Sequence, residues 1–129
     1  MTMISNIFHN KVYPRRGEIY YIKKGNTTCT GSEMWSDRHA VIVSDDNINR
    51  YSNVVQVVYI TTQPKKIRMP VHVDITEGDL TRTILCEQVT PVDKSRIAEF
   101  KGKLSAEQMR SVAKAITTGL SLNKNQDNY

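Results

Sequence analysis

The sequence contains few of the residues that stabilise secreted or membrane proteins. Its 129 residues include 2 cysteines, whereas a disulfide framework normally uses more. We interpret Cys29 and Cys86 as reduced thiols of a cytoplasmic protein, with Cys86 buried because it lies in an apolar run. No apolar stretch approaches the roughly 18 residues that predict a membrane span. Residues 1–10 also lack the basic start and apolar centre of a signal peptide.

Metal-binding residues are also sparse. The 3 histidines are scattered along the chain, and no Cys/His pair has the spacing of a zinc site, so we expect no metal and no cofactor. Hydrophobic residues make up 39% and charged residues 24%, which is typical of a globular protein. The length fits one domain over residues 1–129. The net charge of +5 favours an anionic partner, most commonly nucleic acid, without establishing one.

Secondary-structure signals predict a mostly β domain with a C-terminal helix. Five segments rich in β-branched and apolar residues are expected to be strands: 17–23, 40–44, 54–61, 71–75 and 83–89. A basic turn at 62–70 separates the third strand from the fourth. We expect these strands to form a small SH3-like barrel or a curled antiparallel sheet, with the helix packed on one side.

The helix is predicted to begin after Ser105. Ser105 and Gln108 have the spacing of a capping box. An apolar stripe expected to pack on the sheet follows, formed by Met109, Val112, Ala113, Ile116 and Leu120. Residues 123–129 are polar and are expected to fray.

Seven short motifs occur in a fixed order between Arg16 and Leu122. They are Arg16-Gly17-Glu18-Ile19-Tyr20, Gly31-Ser32-Glu33 followed by Arg38 and strand 40–43, Asn49-Arg50-Tyr51-Ser52, Ile60-Thr61, Pro70-Val71-His72-Val73, Ile84-Leu85-Cys86-Glu87-Gln88-Val89, and Asp93-Lys94-Ser95-Arg96-Ile97. In this order they resemble the MazF/PemK family of toxin ribonucleases. Two departures are clear: His39 replaces a usual proline, and loop 24–37 differs in composition. Residues 1–15 have no clear counterpart and form an N-terminal extension.

The resemblance implies a toxin endoribonuclease that cleaves single-stranded RNA at a short sequence. Family members act without a metal through a 2′,3′-cyclic phosphate and inhibit translation and growth. They are homodimers, neutralised by an antitoxin with an acidic, disordered segment. Arg38 and Thr61 match the family's catalytic pair. A guanidinium stays cationic and can donate two parallel hydrogen bonds to phosphate oxygens, and a threonine hydroxyl can donate one more. The general base stays open, because the pKa of free arginine lies above about 12.

Both catalytic candidates have structural alternatives. Arg38 could be a salt-bridging residue ahead of a buried strand, and Thr61 could be an ordinary β-branched strand residue. The seven ordered motifs favour the catalytic interpretation of both. His72 and His39 are secondary candidates for acid–base chemistry. His72 lies on the face of its predicted strand opposite to that of the two neighbouring valines, so we expect it to be solvated or at an interface.

The candidate substrate-binding residues are Ser32, Glu33, Lys65, Lys66, Arg68 and Gln88. Ser32 and Glu33 could instead cap their loop. The two lysines and Arg68 lie in the basic turn, which could follow an RNA backbone or be merely solvated. Gln88 alternates with Glu87 along its predicted strand, so one of the two would face the groove. Tyrosines and a tryptophan offer possible stacking platforms: Tyr20, Tyr21, Trp35 and Tyr59. Trp35, in a polar loop, is the most exposed of them, whereas strand tyrosines are more often core or interface residues.

Two other functions compete with RNA cleavage. A CcdB-like toxin would act on DNA gyrase by protein contact, but such toxins use an apolar, tryptophan-containing carboxyl end, and residues 125–129 are polar. A basic barrel that binds RNA without cutting it is the other alternative. An activity assay distinguishes the two from an enzyme.

Overall fold

The computed structural model describes residues 12–24, 38–62 and 69–124. Within them the elements are β1 (Glu18–Ile22), β2 (Arg38–Ile42), α1 (Asp46–Tyr51), β3 (Val54–Thr61), β4 (His72–Glu77), β5 (Leu80–Leu85), β6 (Thr90–Asp93), a 3-10 helix (Lys94–Arg96), β7 (Ile97–Lys103) and α2 (Ala106–Gly119). Neither α-helix among these residues is both long enough and apolar enough to cross a membrane.

The strands form one antiparallel sheet in the order β4-β5-β3-β2-β1-β7, and β6 also pairs with β3. Across the described residues β4 and β7 do not pair, so the sheet stays open. The predicted mostly β fold with a C-terminal helix is therefore confirmed. Of the two predicted arrangements, the described residues have the open antiparallel sheet and not a closed barrel. β3 is the central strand, since its first half pairs with β6 and its last two residues pair with β5.

Burial on both faces of β3 divides the core in two. Val58 and Ile60 pack in the cluster that contains Val112 and Ala115 of α2, whereas Val57 and Tyr59 pack in a second cluster. This follows from the alternation of side chains along a strand. The helix therefore covers one face of the sheet, as the apolar stripe predicted.

The start of α2 confirms the predicted capping box. The Ser105 hydroxyl accepts a hydrogen bond from the Gln108 amide at 3.1 Å, and the Gln108 side chain accepts one from the Ser105 amide at 2.8 Å. Leu120 departs from the predicted stripe, because the helix ends at Gly119 and Leu120 is 55% exposed. The buried position that the stripe omitted is Ala115.

Other strand and helix boundaries differ from the predicted ones. The third predicted strand matches β3, but the strand predicted at 83–89 occupies Leu80–Leu85, and Cys86 and Glu87 form a turn. α1, β6 and β7 were not predicted. α1 has six residues and no apolar stripe, β6 contains a proline, and β7 is mostly exposed, so each lacks the periodic signal of a longer element.

Cys86 is buried as predicted, and burial raises the pKa of its thiol to about 12. Its amide donates to the Val71 carbonyl at 3.1 Å. This thiol is therefore a structural group rather than a nucleophile at neutral pH. Cys29 lies outside the described residues.

The Arg16-Gly17 motif ties the start of β1 to its neighbours. Gly17 has φ +92°, which favours glycine, and its amide donates to the Ile42 carbonyl at 2.8 Å. The Arg16 amide donates to Asp46 at 2.8 Å, and its guanidinium donates to the Val43 carbonyl. This motif therefore has a structural role in joining β1, β2 and α1.

Candidate active site

The sheet brings Arg38 and Thr61 together. β2 begins at Arg38 and β3 ends at Thr61, and these strands are antiparallel neighbours with Ala40 opposite Tyr59. The start of β2 therefore lies beside the end of β3. Both residues line a surface depression of about 390 Å³, which we call the strand-end depression; its lining residues are Tyr21, Arg38, His39, Ile60, Thr61, Thr62 and Arg82.

A buried tyrosine supports the Arg38 side chain. The Arg38 guanidinium carbon lies 5.3 Å from the centre of the Tyr59 ring, within cation–π range. Tyr59 is fully buried in the core, so its ring provides a fixed surface. Tyr59 is therefore a core residue, which is the favoured alternative for the strand tyrosines, whereas Tyr21 lines the depression. The Tyr59 hydroxyl is buried and has no hydrogen-bond partner among the described residues.

Thr61 belongs to a polar row that crosses three strands. Thr61 on β3 is opposite Thr83 on β5, and Thr83 is opposite Asp74 on β4. The Thr83 hydroxyl donates to the Asp74 carboxylate at 2.8 Å. Thr61 is 9% exposed, so its side chain is largely shielded from bulk water.

His39 lies next to Arg38 and lines the same depression. Its ring meets the Tyr21 ring edge to face, with 5.7 Å between centres. Burial lowers the pKa of His39, the positive charges of Lys101 and Arg82 lower it further, and Glu99 opposes them. The imidazole is therefore mainly neutral at pH 7 and has a lone pair that can accept a proton.

His72, the other histidine candidate, does not line the strand-end depression. Its side chain is 3% exposed, with Nε2 3.2 Å from the Glu87 carboxylate. Of the two expected environments, solvation is therefore wrong, because the turn after β5 places Glu87 against the ring. A position at an interface stays a prediction. Nδ1 of His72 is buried and finds no hydrogen-bond partner in the described ranges.

Gln88 also lies away from the depression-lining residues. It follows a turn rather than belonging to a strand, so the alternation predicted for Glu87 and Gln88 is wrong. The Gln88 amide donates to the Leu85 carbonyl at 3.1 Å. Its side-chain oxygen is buried without a hydrogen-bond partner among the residues that the structure describes.

The remaining substrate-binding candidates lie outside the described residues: Ser32, Glu33, Lys65, Lys66 and Arg68. Thr62, the first residue of the basic turn, does line the depression. Within the described ranges, no three His, Cys, Asp or Glu side chains come together as a metal site would require.

Sequence reasoning missed Arg82, a second guanidinium in the depression. It precedes Thr83, the partner of Thr61, so its place depends on the pairing of β3 with β5. The nearest motif begins at Ile84, so the family resemblance did not include Arg82. The register between these strands was the missing information.

Comparisons with known proteins identify the family of this chain. The family model described as PemK-like, MazF-like toxin of type II toxin-antitoxin system matches residues 15–120. The Endoribonuclease MazF of Staphylococcus saprophyticus is 36% identical over 112 aligned residues, and the alignment covers 84% of this chain and 92% of that protein.

Solved structures share the fold. A mycobacterial endoribonuclease in complex with its cognate antitoxin matches with a TM-score of 0.70 and 23% identity, covering 87% of this chain and 99% of that chain. MazF from Deinococcus radiodurans matches with a TM-score of 0.70 and 21% identity, covering 84% of this chain and 97% of that chain. The family model and the staphylococcal relative confirm the resemblance drawn from the motifs, and the chain belongs to the PemK-like, MazF-like toxin family of type II toxin–antitoxin systems.

Proposed function

We propose that this protein is a toxin endoribonuclease that cleaves single-stranded RNA at a short sequence without a metal ion. The observation that carries the proposal is that Arg38, Thr61 and His39 all line the strand-end depression. The staphylococcal relative bears the name Endoribonuclease MazF, which supports the same reaction class.

The reaction uses a nucleophile that belongs to the substrate. The ribose 2′-oxygen attacks the adjacent phosphorus, the bond from phosphorus to the 5′-oxygen breaks, and the products carry a 2′,3′-cyclic phosphate and a 5′-hydroxyl. The 2′-hydroxyl loses a proton to a base, and the leaving 5′-oxygen takes one from a water molecule, so no proton is consumed overall. No metal-bound hydroxide is needed, since the attacking oxygen is already positioned within the RNA.

Arg38 and Thr61 serve the phosphate in this proposal. The Arg38 guanidinium offers two parallel donors to the phosphate oxygens, where negative charge increases in the transition state. The Thr61 hydroxyl donates a further hydrogen bond from the end of β3. Arg38 does not serve as the base, because an arginine keeps its proton near neutral pH.

His39 accepts the 2′-hydroxyl proton in this proposal. It lies beside Arg38, and its lowered pKa leaves the imidazole neutral at pH 7. His72 is less suited, because its side chain is buried against Glu87 outside the depression. His39, which occupies the position where the family usually has a proline, is thus the proposed base.

The toxin is proposed to act in the cytoplasm as a homodimer, two-fold symmetry being the commonest closed assembly. Its partner is proposed to be an antitoxin with an acidic, disordered segment that folds on binding. The mycobacterial endoribonuclease of similar fold is in complex with its cognate antitoxin, which supports a protein partner of this kind. The net charge of +5 and the two arginines of the depression suit an acidic segment.

The test is to incubate the purified protein with long unstructured RNA in EDTA and to sequence the cut ends. Cleavage should persist and leave 2′,3′-cyclic phosphates and 5′-hydroxyls. DNA and RNA with 2′-O-methyl groups should stay intact, because both lack the nucleophile. Loss of cleavage in EDTA, or cutting of methylated RNA, would refute the mechanism. Tight RNA binding without cleavage would support the alternative RNA-binding barrel.

A further inference from the structure

Arg82 is the second guanidinium of the strand-end depression. It lies on β5, and its side chain is 16% exposed. Its guanidinium donates to the carboxylate of Glu77 on β4, whose side chain is 65% exposed. The inner member of this ion pair therefore lines the depression, while the outer member stays in water.

The strand order separates Arg82 from Arg38. Arg38 is on β2 and Arg82 is on β5, with β3 between them. Two strand spacings place their backbones on the order of 10 Å apart. The two arginines therefore suit different phosphates of one RNA strand better than a single phosphate. The positive charge of Arg82 also acts on His39 across the depression.

We infer that Arg82 binds an RNA phosphate that flanks the cleaved one, and that Glu77 holds Arg82 in position until this phosphate replaces its carboxylate. The inference rests on the proposed RNA-cleaving function. It adds a substrate-positioning residue and a displaceable partner, neither of which belongs to the seven sequence motifs.

The exchange of partners is physically reasonable. The Arg82–Glu77 ion pair contributes little to the stability of the fold, because water already solvates the exposed Glu77 carboxylate well. The Glu77 carboxylate accepts one hydrogen bond from Arg82. A phosphate can accept two from a guanidinium, and RNA binding releases counterions as an additional driving force. The carboxylate thus orients the guanidinium before RNA arrives and is exchanged at small cost.

A purely structural role predicts a different pattern. If the pair only joined β4 to β5, removing either member would lower stability alike and leave RNA binding unchanged. In our proposal the two substitutions act in opposite directions. Arg82→Gln removes a phosphate contact, whereas Glu77→Gln removes a competing negative charge.

The experiment measures binding of mixed-sequence 2′-O-methyl RNA over a range of salt concentrations, so that cleavage does not interfere. Arg82→Gln should weaken binding about tenfold, and the slope of log affinity against log salt should fall by about 0.7. Glu77→Gln should strengthen binding about two- to fivefold. Arg110→Gln is the matched control, because Arg110 is exposed on α2 and does not line the depression. Its salt slope should equal that of the wild type.

Two further measurements keep the test decisive. Arg82→Lys retains the charge but loses the two parallel donors of the guanidinium, so it should keep the wild-type salt slope and bind RNA more weakly. This variant also replaces Arg82→Gln in the test if Arg82→Gln does not fold. Wild-type cleavage of unmodified RNA is assayed in parallel, and its absence would refute the proposed function separately. Equal salt slopes for Arg82→Gln and Arg110→Gln, or weaker binding by Glu77→Gln, would overturn the role of Arg82.

Discussion

Removing the Arg38 guanidinium should separate catalysis from folding. Arg38→Ala deletes the cation that is proposed to bind the cleaved phosphate, and it leaves Arg82 in place. Loss of one donor to the developing charge typically lowers a rate about 100- to 1000-fold, equivalent to about 2.7–4 kcal/mol. We expect a loss of cleavage in this range.

The effect on stability should be much smaller. The contact of Arg38 with the Tyr59 ring, at 5.3 Å, is worth about 0.5–1 kcal/mol near a surface. Tyr59 itself stays buried in the core after the substitution. A domain with about 5–15 kcal/mol of stability therefore remains folded, and circular dichroism should show the wild-type spectrum.

The assay is single-turnover cleavage at saturating enzyme, where weaker RNA binding no longer limits the rate. Arg50→Ala is the matched control, since the Arg50 guanidinium lies over the Tyr51 ring at 5.2 Å on α1 and does not line the depression. This variant should cleave at the wild-type rate. If Arg38→Ala also cleaves at that rate, Arg38 is a structural residue and the proposed site is wrong.

Three more predictions concern acid–base chemistry and stability. The single-turnover rate of the wild type should rise with pH through a value below the usual histidine pKa and then level off, because protonated His39 cannot accept a proton. If His39→Asn has the same pH–rate profile as the wild type, His39 is not the base. Asn49→Ala should lower the free energy of unfolding by about 1–3 kcal/mol, since buried Asn49 donates to the Ser44 carbonyl at 2.9 Å; an unshifted urea midpoint would contradict this. Ser105→Ala should cost about 1 kcal/mol through loss of the helix cap, whereas Ser111→Ala on the exposed face of the same helix should be neutral or stabilising. Equal melting temperatures for these two serine variants would refute the capping contribution.

Much of the site could be predicted because its motif residues lie at strand ends. Arg38 and Thr61 were assigned from the family resemblance, and the structure places them in one depression. His39 was named beside Arg38, and it lies there as well. By contrast, His72 has the residue type of a catalytic base but is buried against Glu87. Residue type alone did not distinguish these two histidines.

Local patterns in the sequence determine the apolar run of β3, the capping box of α2 and the order of the family motifs. These signals depend on neighbouring residues, so the chain carries them before it folds. The placement of Arg82 in the depression, the pairing of β6 with β3 and the burial of His72 depend on contacts between distant segments. Strand register decides which side chains meet across a sheet, and it is set when β2, β3 and β5 bury their apolar faces together. The tertiary structure alone therefore decided that a second arginine enters the depression.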